Sequence, residues 1–265
     1  MRLIGFSTGA LARNDFMSAI ALLKKTEAKA IELSALRESE LPSLIDALPN
    51  LALSKYDYVS VHAPSRIASC SEEEMVRKLM FFARNKMPII VHGDLINNFA
   101  CWRLLGRYLC IENNDSRKSD GRTEHEIRRL FKGLPDASFC FDVAHARQID
   151  PTMSQASLML KQFADRLCQI HISEINSRGE HGPITYTTAH CCREIARLIP
   201  QNIPIIIESV MPAGVPVAGV ALEMRRVREA LKCEFATRAQ AYTTIYTRKM
   251  IISRQDVGKA KIAVR

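Results

Sequence analysis

Short apolar runs, many of them β-branched, recur along the chain at near-regular intervals. They are Leu3–Ser7, Ala30–Ser34, Tyr58–His62, Pro88–His92, Tyr108–Glu112, Ser138–Asp142, Cys168–Ile172 and Pro204–Glu208. Each is nearly continuous in apolar character, which predicts parallel strands buried on both faces. The stretches between them change period. Asp15–Lys25 and Gln155–Arg166 place apolar residues at three- and four-residue steps, and Val220–Lys232 reads as the last helix. Ser71 and three glutamates precede Met75–Arg84, which suits a helix N-terminus. Thr123-Glu124-His125-Glu126 has the form of a capping box ahead of Ile127–Phe131. Only about fifteen residues separate His92 from the fifth strand, so the fourth helix is brief. Eight strand–helix repeats predict an α/β protein, a single (β/α)₈ barrel over residues 1–232. Residues 233–265 have no place in that barrel and form a short C-terminal extension: a strand, a helix, a dimer arm or a tail.

Bulk properties narrow the function class. The 265 residues suit one such barrel, and 47% hydrophobic with 25% charged residues is globular composition. Met1-Arg2 runs straight into the first strand, with no signal-peptide core. The longest apolar candidate for a span, Ile203–Met224, is broken by Glu208, Glu223 and three prolines. A cytoplasmic protein with no membrane partner is expected. The eight cysteines include no CxxC pair; Cys110, Cys140 and Cys168 fall inside strand runs and read as buried reduced thiols, with Cys191-Cys192 as helix packing. The net charge is +9, and residues 233–265 carry seven Lys and Arg against Glu234 and Asp256. That basic extension is suited to a polyanion such as nucleic acid, and equally to a solvated tail.

The chemistry lies at the ends of the strands, which in a parallel barrel converge on one mouth. His62 ends the third, His92 the fourth and Glu112 the fifth. Asp142 ends the sixth, with His145 three residues on. His171 ends the seventh, His181 lies in the loop after it, and Glu208 ends the eighth. Three carboxylates and five imidazoles aimed into one mouth need counter-ions. Mixed imidazole and carboxylate ligands suit Zn²⁺, Mn²⁺ or Fe²⁺, and eight ligands exceed the needs of one ion. Two or three divalent ions are expected. Asn113 and Asn114 are placed to orient Glu112. Trp102 and His190 read as helix packing, and His125 as exposed.

This ordered set, with Val-His-Ala-Pro at 61–64 and Phe-Asp-Val-Ala-His at 141–145, resembles the xylose isomerase-like TIM barrels. Within them it is most similar to the endonuclease IV branch, over about residues 1–232. The resemblance implies one ion on His62, His92 and Glu112. It implies a second, bridged by Glu112 and held by Asp142, His171 and Glu208. A third would sit on His145 and His181. There the chain departs from the branch, which has an aspartate two residues before the last histidine where this chain has Gly179. The loop Ser173–Gly182 is also short.

Three activities are open on these residues. The first is hydrolysis of a phosphoester or phosphodiester, with a phosphorylated small molecule or a nucleic acid as substrate. There Glu112, Glu208 and His171 would be catalytic, and Arg66, Arg147, Arg178 and Glu32 would face substrate. The second is isomerisation or epimerisation of a sugar or sugar phosphate on one ion held by Glu112, Asp142, His171 and Glu208. The third, implied by other barrels of this shape, is oxidation of peptide cysteines at a multinuclear iron centre. A barrel kept only for binding is disfavoured because the first two ligand sets are complete. An oligomer is left open.

Overall fold

The computed structural model describes residues 2–232, which build a closed parallel barrel; the sequence expectations for 233–265 lie outside the described residues. Its strands are β1 (Ile4–Ser7), β2 (Ala30–Ser34), β3 (Tyr58–His62), β4 (Ile89–His92), β5 (Leu109–Glu112), β6 (Ser138–Asp142), β7 (Leu167–Ile172) and, after a two-stranded ribbon of β8 (Glu174–Ile175) and β9 (His181–Gly182), β10 (Ile205–Ile207). The ring runs β1-β10-β7-β6-β5-β4-β3-β2. Every apolar run of the sequence is therefore a barrel strand, and three keep their predicted bounds. The ribbon went unpredicted because two-residue strands carry no period.

The helices follow their local signals. Ser71 caps Glu72–Arg84 by accepting from the Glu74 amide. Thr123 and Glu126 close a reciprocal capping box at Glu124–Gly133. The fourth helix is indeed brief: Phe99–Trp102 and a tight 3₁₀ stretch, Arg103–Tyr108. The last helix, Val217–Ala230, starts earlier than predicted, directly after Pro216. Among the described residues, no helix is long and apolar enough to cross a membrane.

Two cores divide the apolar residues. Ile31, Leu33, Val61, Ile89, Val91, Ile111, Phe139, Phe141, Ile172 and Ile205 occupy alternate positions along their strands and pack, fully buried, within one large apolar cluster. The barrel interior is different. Ser60, Gln169 and Glu32 meet there, as Gln169 Nε2 donates to Glu32 Oε2 at 2.6 Å and the Ser60 hydroxyl donates to the same oxygen at 3.3 Å. Gln169 and Glu32 stand on strands that are not neighbours, so this contact crosses the barrel. Gly5 makes closure at β1 possible: a Cβ there would lie 1.6 Å from the Ala30 carbonyl oxygen.

One expectation is corrected in this interior. Cys110 and Cys168 are joined by a disulfide. Their strands are separated in the ring by β6, and the inward side chains of β5 and β7 converge past it, a proximity that only the closed ring creates. Cys140 beside them is a buried free thiol, as are Cys191 and Cys192.

Candidate metal centre

The barrel mouth gathers its chemistry by strand alternation. Each of β3, β4, β5, β6 and β7 turns a polar side chain inward at or near its last position, and adjacent registers bring them level: His92 pairs with Glu112, and Asp142 with His171. The carboxylate of Glu112 lies at the centre and is fully buried. Its Oε2 is 3.2 Å from both His62 Nε2 and His92 Nε2. Its Oε1 is 2.9 Å from His171 Nδ1. His171 Nδ1 is also 3.4 Å from Glu208 Oε2 and 4.0 Å from Asp142 Oδ2.

Two groups of ligand atoms result, each with its members within 4.8 Å of one another: His62, His92 and Glu112; and Glu112, Asp142, His171 and Glu208. Glu112 belongs to both and offers a different oxygen to the histidines of each. His145 and His181 stand beside these groups and join neither. Their rings meet edge to face with centroids 5.3 Å apart. His145 Nδ1 lies 2.9 Å from the Asn113 carbonyl, and His181 Nδ1 lies 2.8 Å from the Ser173 hydroxyl.

The electrostatics fit a cationic occupant. Asp142 Oδ2 is buried with no hydrogen-bond partner among the described residues. Burial raises the Asp142 carboxyl above its ordinary value. Burial, together with Glu112, Glu32 and Asp142, pushes Glu208 up to about 7. Burial opposes ionisation of Glu112, but His171, His62 and His92 hold it well below the carboxylate range. Burial likewise opposes charging of His62, yet Glu112 lifts it to about 9. Carboxylates that cannot all ionise, beside imidazoles holding extra protons, are a donor set in which divalent ions replace protons.

The remaining sequence candidates fall in different places. Arg66 is exposed and lines the mouth cavity. Arg147 is engaged by Glu174, whose carboxylate also accepts from Thr185. Arg178 is 77% exposed and pairs with Glu180. Neither Arg147 nor Arg178 lines the cavity. Glu32 is also absent from the cavity wall: it lies beneath the ligands, fully buried, with Oε2 3.0 Å from His171 Nε2. His171 thus turns Nε2 to a carboxylate and Nδ1 to the centre, the arrangement that orients metal-ligating histidines. Asn113 does not orient Glu112 either. It exchanges hydrogen bonds with the Asp142 backbone, at 2.9 and 2.7 Å, while Asn114 reaches Asp94 and the Asp120 carbonyl. Trp102 is buried, as expected, and donates to Glu72; His190 is exposed rather than packed, and His125 is exposed.

The mouth is a cavity of about 520 Å³ whose walls include His62, His92, His145, His181 and Glu208. Asp94, Asp115, Arg117 and Lys118 also line it, and the strand-end reading missed all four. Their sequence signal is weak, because they sit in loops where polar residues are ordinary.

No family model matches the sequence, and no curated protein sequence does. Solved structures do match. A protein described as a sugar phosphate isomerase/epimerase, from Anabaena variabilis, superposes with a TM-score of 0.55 at 15% identity, over 87% of this chain and 98% of its own. Endonuclease IV from Thermus thermophilus gives 0.54 at 15% identity, over 86% and 98%. A xylose isomerase-like TIM barrel protein from Mycobacterium smegmatis, in complex with magnesium, gives 0.50 at 12% identity, over 83% and 91%. At such identities the likeness shows architecture alone. The chain shares the closed eight-stranded parallel barrel of sugar phosphate isomerase/epimerase, endonuclease IV and xylose isomerase-like TIM barrel proteins.

Proposed function

We propose that the protein is a metal-dependent hydrolase of phosphoesters or phosphodiesters, acting at two divalent ions bridged by Glu112. One observation carries this reading. The two oxygens of Glu112 point to two separate ligand groups, so one carboxylate joins two sites. His62 and His92 would hold one ion with Glu112; Asp142, His171 and Glu208 would hold the other with it. Ions held there would supply Lewis-acid charge to the oxygens of a phosphoester undergoing displacement. Zinc or manganese suits this mixed set, and iron is compatible with it.

The chain's own residues do the rest. Glu208 borders both the ligand group and the cavity, so it is the ligand that stands next to substrate. His171 is fixed between Glu32 and Glu112 and cannot turn away. Arg66 on the cavity wall provides positive charge for a phosphate.

A second reading, isomerisation or epimerisation of a sugar phosphate, is favoured by the four-residue group, which can hold one ion alone. Under that reading, His62 and His92 would not be needed as ligands. The deciding experiment assays the full chain, loaded with zinc or manganese, on a phosphodiester and on aldose and ketose phosphates. Phosphodiester cleavage that disappears in His92→Ala supports the proposal. Sugar phosphate interconversion without any cleavage overturns it.

A further inference from the structure

The loop after β5 and the loop between β8 and β9 meet at one side of the mouth. The contact is a guanidinium on a glycine: Arg117 lies against Gly179. A Cβ at Gly179, which has φ +75°, would fall 2.0 Å from Arg117 Cζ and 2.2 Å from its Nε. No other residue type gives Arg117 this seat.

Arg117 is also fixed from its own loop. Its Nε lies 3.2 and 3.1 Å from the two carboxylate oxygens of Asp115, and its Nη2 lies 2.5 Å from Asp115 Oδ2. Asp115 accepts from the Arg117 amide as well, at 2.7 Å, and is only 2% exposed. Burial opposes its ionisation, but Arg117 holds the carboxyl down at about 2. Across the loop boundary, Arg117 Nη1 donates to the Arg178 carbonyl at 3.3 Å. Gln148 ties the same two loops. Its Oε1 accepts from the Ser116 amide and hydroxyl, both at 2.9 Å, and its Nε2 donates to the Asn176 carbonyl at 3.2 Å.

A guanidinium has five N–H groups. Asp115 and the Arg178 carbonyl engage three of those on Arg117, which leaves two on a side chain that lines the cavity beside His145 and His181. The other cations of that wall differ. Lys118 is engaged by Asp94 and the Ser65 carbonyl. Arg66 and Arg117 are both exposed, but Arg66 has no partner among the described residues to fix it. Arg117 alone among the three combines a fixed fork with donors in reserve, the arrangement that suits a tetrahedral oxyanion.

We infer that Arg117, seated on Gly179 and clamped by Asp115, is the residue that holds the phosphate group of the substrate in the mouth cavity. This deepens the phosphoester reading and rests on it for the identity of the anion. The pairing of the two loops also makes Gly179 a specificity position, since any side chain there evicts the guanidinium.

The test is titration of inorganic phosphate against the full chain, once as purified and once after chelator treatment, which removes any contribution from ions. Arg117→Ala is expected to weaken phosphate binding about tenfold or more in both forms. Arg117→Lys, which keeps charge but not the fork, should recover only part of it. Gly179→Ala should reproduce the Arg117→Ala loss from the opposite loop, with an unchanged far-ultraviolet spectrum showing an intact barrel. Phosphate affinity within twofold of the parent in Arg117→Ala, or loss only in Arg66→Ala or Lys118→Ala, overturns the inference. The two readings fail separately: a chain that binds phosphate through Arg117 yet cleaves no phosphodiester sinks the reaction class and leaves the anion site standing.

Discussion

Glu112 carries the greatest consequence of any residue in this chain. Because its two oxygens face different ligand groups, Glu112→Gln should remove both ions at once, whereas His181→Ala should cost at most one. Elemental analysis of the purified variants reads the difference, and full metal content in Glu112→Gln would refute the bridge. Glu32 acts at one remove. It has no place on the cavity wall, and its oxygen 3.0 Å from His171 Nε2 holds that ring from beneath the ligands. Glu32→Gln is therefore expected to weaken ion binding about 10- to 100-fold and to shift the ¹⁵N resonances of the His171 ring. The eight ligand candidates were legible in the sequence because each ends or follows an apolar strand. The roles of Glu32, Asp115 and Arg117 were not. Glu32 meets His171 across 139 residues of chain, and the seat of Arg117 depends on a left-handed glycine in another loop. No spacing in the sequence encodes either distance.

Among the elements, strands and helices differ in how they announce themselves. Barrel strands are buried on both faces, so continuous apolar runs mark them, and their ends were found to within a residue. Helices depend on caps, and these too can be read directly. Thr123 accepts from the Glu126 amide, and Glu126 reaches back to the Thr123 amide at 2.9 Å. Thr123→Ala should destabilise the protein by about 1 kcal/mol in denaturant titration, with no effect on metal content, because this helix start holds no ligand. The loops are the opposite case. Asn113 was expected to serve Glu112 and instead fixes the end of β6, gripping the Asp142 backbone on both sides. A polar residue just past a strand has several neighbours within reach, and only the closed barrel selects one.

For the molecule as a whole, the proposed ions would compete with protons for one interior. His62 at about 9 and Glu208 at about 7 both hold protons more tightly than in an unfolded chain. A group raised in this way stabilises the fold below its unfolded value and ceases to do so as pH climbs through the folded one. Glu112, held low, contributes in full above the ordinary Glu value and so stays constant over that range. His181, held down at about 3, and His92, also held down, gain as pH rises to the ordinary histidine value, so the metal-free chain should lose stability as pH rises from about 6.5 to 9, while ion binding strengthens because fewer protons must leave. The gap in Tm between metal-loaded and chelator-treated protein is expected to widen from pH 6.5 to pH 8; a gap that narrows would contradict the ligand assignment. The Glu32–His171 contact has one more consequence. It joins β2 to β7, strands kept apart in the ring by β1 and β10. It is a clasp between the early and late halves of the chain, with the carboxylate on one half and the imidazole on the other. Half-barrels could be exchanged between relatives of this protein only when carboxylate and imidazole travel as a matched pair, so the clasp ties the inheritance of one half to that of the other.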